Sequence, residues 1–255
     1  MPSESIKKIV ADFLPDAMRH WIERQKRRFS CWPPLGFVRF GSFRRLKPIS
    51  RVFGLDRGLC IDRYYIKRFL AAQASSIKGS VLEIGDDTYT REFGGNRVTR
   101  SDVLHLEQGN PKATIFADLT RAEHISSETF DCIICTQTLQ LIVDVKTAIK
   151  TLHRILKPAG VLLATFPGIS QISRYDMDRW GDYWRFTDAS AQRLFGEIFG
   201  CANVDIASVG NVLVACAFLH GLTVNELKQE ELNHHDPDYQ LLITARAVKG
   251  QEGSE

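Results

Sequence analysis

Long hydrophobic runs are missing from this chain of 255 residues. The longest apolar stretch runs from Val212 to Leu219, well short of the roughly 20 residues that a membrane-spanning helix needs. The chain opens Met1-Pro2-Ser3-Glu4 and shows no apolar segment of a signal peptide there. We therefore expect a cytoplasmic protein with one large domain and an extension. If the protein contacts a membrane, we expect peripheral binding at the inner face of that membrane.

Several signatures of common catalytic chemistries are also missing. The sequence has no G-x-G-x-x-G phosphate loop, no G-x-S-x-G nucleophile turn and no His/Asp/Glu cluster with metal-ligand spacing, so we expect no bound metal. Its six cysteines are scattered, and the pair Cys132 and Cys135 lies in an apolar run that indicates a buried strand. Residues three apart on a strand point to opposite faces of the sheet. We therefore expect the two cysteines to be reduced and not to form a redox or zinc-binding pair.

Charge is distributed unevenly along the chain. The net charge is +3, yet residues 1–60 alone hold thirteen Lys or Arg and five Asp or Glu, which leaves the remainder acidic. Ala17, Met18, Trp21 and Ile22 follow Pro15 at helical spacing and predict a basic amphipathic helix. Such a helix either binds an anionic membrane surface or an acidic partner, or packs on its own domain with solvated charges. The acidic remainder argues against a nucleic-acid partner.

From residue 61 onward, predicted strands and helices alternate. We expect a helix from about residue 62, a helical turn at 88–93, and helices at 144–156 and at 189–199, the last capped by Asp188. Strands are expected at 80–84, 97–101, 113–117, 130–135, 160–166, 203–209 and 239–248. This alternation predicts an α/β fold, a doubly wound and mostly parallel seven-stranded sheet over 61–250, after a basic extension 1–60 and before a disordered tail 251–255.

Acidic residues stand at the ends of the first three predicted strands. Val81-Leu82-Glu83-Ile84-Gly85 is an apolar run that ends in an acid-x-Gly turn, and Asp102 and Asp118 each end a further apolar segment. In a doubly wound sheet, ligands bind outside the carboxyl ends of the strands. A carboxylate at the second strand can accept from both ribose hydroxyls, and one at the third can accept from an adenine amino group. The three acids therefore predict a nucleoside site.

The order of these motifs resembles the class I S-adenosylmethionine-dependent methyltransferases, closest to the methyltransferase-11-like branch. The shared motifs are the three acids, Phe130-Asp131 at the start of a strand, and Arg154-Ile155-Leu156-Lys157-Pro158 before the next strand. The resemblance is clear over about 78–170 and looser to 248, and it implies a Rossmann-like methyltransferase fold. Ile61-Asp62-Arg63-Tyr64-Tyr65 and the stretch 180–187 also resemble a sub-branch found among bacterial polysaccharide and glycoconjugate genes.

The resemblance implies a cofactor, S-adenosylmethionine, and a site for it. Glu83 and Gly85 would bound the methionine-binding loop, Asp102 with Val103 would hold the ribose, and Asp118 with Leu119 would face the adenine. Thr136, Gln137 and Thr138 would lie beneath the departing methyl group. The full set expected to bind the cofactor is Glu83, Gly85, Asp87, Thr88, Tyr89, Asp102, Val103, Asp118, Leu119, Thr136 and Gln137.

One position departs from the family pattern. The second glycine of the family's acid-x-Gly-x-Gly loop is Asp87 in this chain. Glycine lets a backbone approach a ligand closely, so Asp87 implies a differently shaped loop. Asp87 either binds the amino group of the methionine portion through a charge-assisted contact, or marks a loop that no longer binds the cofactor.

The segment after the fifth strand is the expected acceptor lid, residues 168–187. Aromatic faces beside carboxylates and guanidinium groups suit a sugar ring, whereas the alternative is a lid whose aromatics only pack on the sheet. The residues expected to bind the acceptor are Arg174, Tyr175, Asp176, Trp180, Tyr183, Trp184 and Arg185. Methyl transfer to a hydroxyl needs alignment and a proton acceptor, and Asp176 or Asp182 is predicted as that base, with Gln137 orienting the hydroxyl.

Three functions are consistent with these features. The first is O-methylation of a saccharide or glycoconjugate hydroxyl by an S-adenosylmethionine-dependent enzyme. The second is methylation of a lipid, quinone or secondary metabolite, for which a lid richer in aliphatic residues is expected. The third is a degenerate methyltransferase fold that acts as a binding or scaffold protein through its basic N-terminus, and the altered loop at Asp87 favours it.

Overall fold

A computed structural model describes residues 33–251 and, ahead of them, Pro15, Ala17, Met18, His20, Trp21 and Arg24. The chain divides into two compact units, one through Leu46 and one from Lys47 onward. In the first unit the described residues from Ala17 to Arg24 are helical, and Met18 and Trp21 are exposed. Ile22 of the predicted amphipathic helix and the predicted tail beyond residue 251 lie outside the described residues.

A seven-stranded sheet forms the centre of the second unit, with strand order β3-β2-β1-β4-β5-β7-β6. Its strands are β1 Gly79–Ile84, β2 Val98–His105, β3 Ile115–Phe116, β4 Phe130–Thr136, β5 Leu156–Pro167, β6 Val204–Val209 and β7 Leu242–Val248. The pairs among β1 to β5 are parallel, whereas β7 is antiparallel to both β5 and β6. The predicted doubly wound, mostly parallel seven-stranded sheet is confirmed.

Helices connect these strands and cover the sheet. They are α1 Ile61–Ala72, α2 Val145–Ile155, α3 Arg174–Met177, α4 Asp188–Phe199, α5 Val212–Leu219 and α6 Gln229–Asn233, together with a single helical turn at Thr90–Gly94. Ile149 of α2 and Phe195 of α4 share one buried cluster with Leu82, Ile133 and Leu162 of the sheet. The strand neighbours of these sheet residues point to the other face, because side chains alternate along a strand. No helix of the described chain is long and apolar enough to cross a membrane.

The start of α4 differs from the prediction. Thr187, and not Asp188, is the N-cap: its side chain accepts a hydrogen bond from the Ser190 N–H, and the Ser190 hydroxyl accepts from the Thr187 N–H. This reciprocal pair satisfies two of the donors that a helix start leaves free. Asp188 is the first helical residue, where its charge still favours the positive end of the helix dipole.

The residues just ahead of α1 belong with the sheet-containing unit, although the sequence analysis placed them in the basic extension 1–60. The N–H groups of Ile49 and Ser50 both donate to the His220 carbonyl. Gly54 has φ +86°, and a β-carbon there would lie 2.9 Å from the carbonyl oxygen of Gly221. Only glycine allows this close backbone approach, which holds residues 49–54 against the turn that follows α5.

Candidate active site

A cavity of about 1040 Å³ opens at the carboxyl ends of β1, β2, β4 and β5. This is where doubly wound sheets bind ligands, and the volume is at the upper end of the range for small-molecule sites. On the sheet side, the predicted residues that line it are Glu83, Gly85, Thr88, Tyr89, Asp118, Leu119, Thr136, Gln137 and Thr138. On the lid side they are Asp176, Trp180, Asp182, Tyr183 and Arg185. One cavity therefore unites most of the predicted cofactor and acceptor residues.

Glu83 fixes the shape of the loop that follows β1. Its side chain is only 2% exposed, and its carboxylate accepts from the Tyr89 N–H, the Thr90 N–H and the Thr90 hydroxyl at 3.2, 2.7 and 2.7 Å. Burial raises the pKa of Glu83 to about 7, although the hydrogen bonds from Thr90 and Tyr89 act in the opposite direction. The carboxylate thus ties the helical turn after the loop to the strand.

Gly85 leaves the loop open to the cavity. Its φ is +96°, a conformation that favours glycine, and a β-carbon built there would meet no atom within 4 Å. Asn110 fixes the Gly85 carbonyl with a 2.6 Å hydrogen bond from its side-chain amide. The space above the loop is therefore free for a ligand that lies against the backbone.

Asp87 is removed from the set of cofactor residues. Its carboxylate pairs with Lys112 at 3.1 Å and with Arg91, and it does not line the cavity. Burial disfavours the charged form, but the hydrogen bonds and charges of Lys112 and Arg91 outweigh burial and lower the pKa of Asp87. The acid at the altered glycine position therefore holds the loop to the β2–β3 connection, and its neighbour Asp86 faces the cavity.

The predicted ribose residues Asp102 and Val103 are also misplaced. Strand β2 continues to His105, so Asp102 pairs in register with Leu82 inside the sheet, and neither Asp102 nor Val103 lines the cavity. Asp102 accepts from the Thr114 hydroxyl at 2.9 Å and lies 2.6 Å from Arg100 Nε. The residues at the true tip of β2 are His105, Leu106 and Glu107, which do line the cavity.

Asp118 and Leu119 lie at the edge of the cavity after β3. One carboxylate oxygen of Asp118 accepts from the Thr120 N–H and hydroxyl, both at 2.8 Å, and its other oxygen has no hydrogen-bond partner among the described residues. Leu119 is buried beside it. An apolar surface next to one free carboxylate oxygen suits a purine ring with an exocyclic amino group.

The tip of β4 holds Gln137 in a strained conformation. Gln137 has φ +48°, and its N–H donates to the Thr165 carbonyl at 2.9 Å. Its side-chain oxygen accepts from Gln140 Nε2 at 3.3 Å, whereas Gln140 Oε1 is buried without a hydrogen-bond partner in the described chain. Backbone strain of this kind persists only where the surroundings enforce it, and here it holds two amides at the cavity wall.

The two predicted bases in the lid have different surroundings. Asp182 is held by both terminal nitrogens of Arg185, at 2.6 and 2.9 Å, and it accepts from the Ser173 N–H at 3.1 Å. A carboxylate occupied in this way holds the lid together, which argues against Asp182 as the base, whereas Arg185 lines the cavity and stays a predicted acceptor ligand. Asp176 is half-buried at the cavity, and no described residue hydrogen-bonds to its carboxylate.

Three further lid residues lie away from the cavity. Arg174 is exposed and pairs with Asp178, while Tyr175 lies under the Arg179 guanidinium at 3.6 Å. Trp184 donates its indole N–H to the Ile142 carbonyl at 2.9 Å. These predicted acceptor residues therefore maintain the shape of the lid.

Main-chain hydrogen bonds attach the lid to the sheet. The Gln140 carbonyl accepts from the N–H groups of both Tyr183 and Trp184, at 2.9 and 3.3 Å, and the Pro167 carbonyl accepts from the Phe186 N–H. Gly181, at φ +93°, allows the Tyr183 ring to fold back over its own backbone. Trp180 packs edge-on against His105, with ring centroids 6.0 Å apart. The lid thus closes over the tips of β2 and β4.

The sequence analysis missed several residues of the cavity. Among them are Asp62 and Arg63 of α1, Glu107 after β2, Gln140 and Arg179. The apolar Val103 and Leu104 that follow Asp102 were the available signal that β2 runs further. Nothing in the spacing of α1 indicated that its first turn faces the crevice.

The residues present fit a nucleoside cofactor with an amino-acid chain. Open space lies above Gly85, and one carboxylate oxygen of Asp118 has no hydrogen-bond partner among the described residues. Two cavity residues carry buried side-chain atoms that hydrogen-bond to nothing in the described part of the chain, Gln140 Oε1 and Trp180 Nε1. Buried polar atoms without partners are uncommon in folded proteins, and a bound ligand is one way to satisfy them.

Comparison with known proteins points to the same class. Residues 89–164, from the loop after β1 into β5, match the family model of a methyltransferase domain. No curated protein sequence matches the chain. Residues 89–164 are thus similar to a methyltransferase domain, and this similarity supports methyltransferase activity with S-adenosylmethionine as the cofactor.

The chain is also similar, at low sequence identity, to several solved structures. A S-adenosylmethionine-dependent methyltransferase from Archaeoglobus fulgidus has 12% identity and a TM-score of 0.49, covering 73% of this chain and 94% of its own. An S-adenosylmethionine-dependent methyltransferase from Mesorhizobium loti has 15% identity and a TM-score of 0.47, covering 77% of this chain and 100% of its own. The YcgJ protein from Bacillus subtilis has 12% identity and a TM-score of 0.46, covering 74% and 99%.

Proposed function

We propose that this protein transfers a methyl group from S-adenosylmethionine to a hydroxyl of a saccharide or glycoconjugate in the cytoplasm, as a step of polysaccharide biosynthesis. The observation that carries the proposal is the free Asp176 carboxylate in a lid that lines the same cavity as the strand tips. A hydroxyl acceptor needs a proton acceptor beside the reacting atoms, and Asp176 is the lid acid that is not already paired.

Binding of the cofactor is assigned to the strand tips. Asp118 and Leu119 take the adenine, and Glu107 replaces Asp102 as the acid for the ribose hydroxyls because it stands at the end of β2. Glu83 keeps the loop at Gly85 in place. When bound, the cofactor supplies an electrophilic methyl group on a positively charged sulfur.

The chemistry of the transfer is assigned to the β4 tip and the lid. Gln137 and Gln140 present amide groups that orient the acceptor hydroxyl. Asp176 would accept the proton of that hydroxyl, whose oxygen would receive the methyl group that the cofactor supplies. The lid excludes water and positions the acceptor.

The polar lid supports a sugar as the acceptor. Trp180 and Tyr183 offer aromatic faces for the C–H side of a sugar ring, and Asp176 and Arg179 offer groups that hydrogen-bond to its hydroxyls. All four line the cavity, as does Ser173. A lid of this composition fits a hydroxyl-rich ring better than a hydrocarbon.

A lipid, quinone or other apolar acceptor is the second candidate, because one wall of the cavity is apolar. Leu55, Leu59, Leu106 and Val143 line it with exposed side chains. An acceptor that joins a sugar to a lipid carrier would use both walls. The third candidate, a scaffold without activity, requires that the cavity bind no cofactor.

Incubation with a methyl-labelled cofactor tests the proposal directly. Purified protein is supplied with monosaccharides, glycan fragments and lipid-linked sugars in one series, and with quinones and fatty alcohols in a second, and label transfer is read by mass spectrometry. Transfer to a sugar hydroxyl is the expected result. Transfer confined to the second series contradicts the saccharide assignment, and absence of cofactor binding favours the scaffold.

A further inference from the structure

The first turn of α1 contributes a cation to the cofactor side of the cavity. Arg63 is half-buried and lines the cavity together with Gly85, Asp86 and Thr88 of the loop after β1. Its guanidinium lies 3.5 Å from the hydroxyl of Tyr89, the residue whose N–H is held by Glu83. Arg63 therefore lies directly beside the loop at the β1 tip.

The Arg63 guanidinium has unused hydrogen-bonding capacity. A guanidinium carries five N–H donors, and the contact with Tyr89 is its one hydrogen bond to the described residues. No carboxylate of the described chain lies within salt-bridge distance of it, although Asp62 is its neighbour in sequence. By contrast, Lys67, one turn further along α1, is neutralised by Glu92 at 2.9 Å. Burial acts to lower the pKa of Arg63, but the charge of Asp62 and the interaction with Tyr89 together outweigh it and raise that pKa. Since no described carboxylate hydrogen-bonds to the guanidinium, its remaining N–H groups are available to an anionic ligand.

The strand order determines which part of the cofactor reaches this point. The sheet runs β3-β2-β1-β4 across the cavity, with Asp118 at the tip of β3 and Glu107 at the tip of β2. A nucleoside read by these two acids extends its remaining chain toward the tip of β1. In S-adenosylmethionine that chain ends in an amino group and a carboxylate, and the carboxylate is the anion of the molecule.

We propose that Arg63 binds the carboxylate of the cofactor's methionine portion. This inference rests on the proposed function for the orientation of the nucleoside. This contact differs from the one predicted for Asp87, which was with the amino group and is not available because Asp87 is paired with Lys112 and Arg91. The first turn of α1 thereby contributes to cofactor affinity. In the family pattern, part of that affinity comes from the backbone of the glycine loop.

Calorimetric titration of two ligands isolates this contact. S-adenosylhomocysteine has both the amino group and the carboxylate. Its decarboxylated analogue keeps the amino group and lacks the carboxylate. Arg63→Met should weaken S-adenosylhomocysteine roughly 10- to 100-fold, the range for a lost charge-assisted hydrogen bond, and change binding of the analogue less than about twofold. Arg63→Lys, which keeps the charge without the forked geometry, should give an intermediate loss.

Arg68→Met is the matched control. Arg68 lies on the same helix, hydrogen-bonds to Tyr64 and Asn233, and does not line the cavity, so both ligands should bind this variant as they bind the parent. Equal losses for the two ligands in Arg63→Met would show a structural role and overturn the proposal, as would unchanged affinity for S-adenosylhomocysteine. Failure of the unmodified protein to bind either ligand would instead overturn the proposed function as well.

Discussion

The loop after β1 and the lid are each held by an acid that pairs with basic side chains, but the partners come from different parts of the chain. In the loop, Asp87 is fixed by Arg91 and by Lys112 from the β2–β3 connection, so the loop is joined to the sheet. In the lid, Asp182 is fixed by Arg185 of the same segment. The ion pairs of the loop thus join it to a distant part of the chain, whereas the ion pair of Asp182 lies within the lid segment itself.

Two of the lid acids, Asp176 and Asp182, provide the strongest test of this difference. Asp176→Asn should lower kcat by about 10²- to 10⁴-fold with cofactor affinity unchanged, because the acceptor hydroxyl loses its base. Asp182→Asn should instead raise KM for the acceptor and the rate of proteolysis within 168–187, because Arg185 loses its partner. Steady-state kinetics and limited proteolysis measure these effects. A larger fall of kcat in Asp182→Asn than in Asp176→Asn would reverse the roles.

Glu83 makes the stability of the loop region dependent on pH. Its pKa is about 7 in the folded protein against an ordinary value of 4.5, so between these values the folded state binds more protons than the unfolded state. The free energy of unfolding should therefore fall as the pH rises from 4.5 to 7, by at most about 3 kcal/mol. Denaturant unfolding at several pH values measures this contribution.

Glu83→Gln is the control for that measurement. The variant has no titrating group at this position, so the part of the pH dependence that belongs to Glu83 should disappear. The same slope in parent and variant would show that other groups cause the dependence.

The tip of β2 can be tested with a pair of acids. Glu107→Gln should weaken S-adenosylhomocysteine about tenfold, because a carboxylate at the strand end loses its charged hydrogen bonds to the ribose. Asp102→Asn should change cofactor affinity less and lower the melting temperature, since Asp102 binds Thr114 and Arg100 within the sheet. Calorimetry and thermal unfolding distinguish the two, and a greater loss of affinity in Asp102→Asn would restore the sequence-based assignment.

The smallest effect is expected from the basic N-terminus, which belongs to neither region. Deletion of residues 1–46 should change cofactor affinity less than about twofold. If Met18, Trp21 and the neighbouring cations bind anionic lipid, the deletion should abolish salt-sensitive binding to vesicles that contain phosphatidylserine. Loss of folding on deletion would contradict the peripheral-membrane hypothesis, and a vesicle sedimentation assay provides the measurement.

The sequence was sufficient for the sheet and for most of the strand-tip residues. Alternating apolar runs with clear stops defined the strands, and the acid-x-Gly turn located Glu83 and Gly85. Asp102 was misassigned because spacing alone does not show where a strand ends, and β2 continues through Val103 and Leu104. The N-cap of α4 shifted by one residue because Thr187 and Asp188 are both good capping types.

The use of each acid could not be read from the sequence. Asp176 and Asp182 have the same side chain in the same segment, and only the three-dimensional position of Arg185 distinguishes them. Asp87 looked free because Lys112 is 25 residues away along the chain. The role proposed for Arg63 depends equally on the tertiary placement of α1, since nothing in its local pattern points to the crevice.

The main-chain attachment of the lid has a consequence for the rate of the catalytic cycle. The Gln140 carbonyl accepts from Tyr183 and Trp184, and Gln140 is three residues from the strained Gln137 at the reacting wall. Lifting this part of the lid to release product therefore breaks two hydrogen bonds that no side-chain substitution removes. The energy barrier to opening the lid is therefore set by main-chain hydrogen bonds. Substitutions of side chains such as Trp180 can then change which acceptor is preferred without changing the rate of product release.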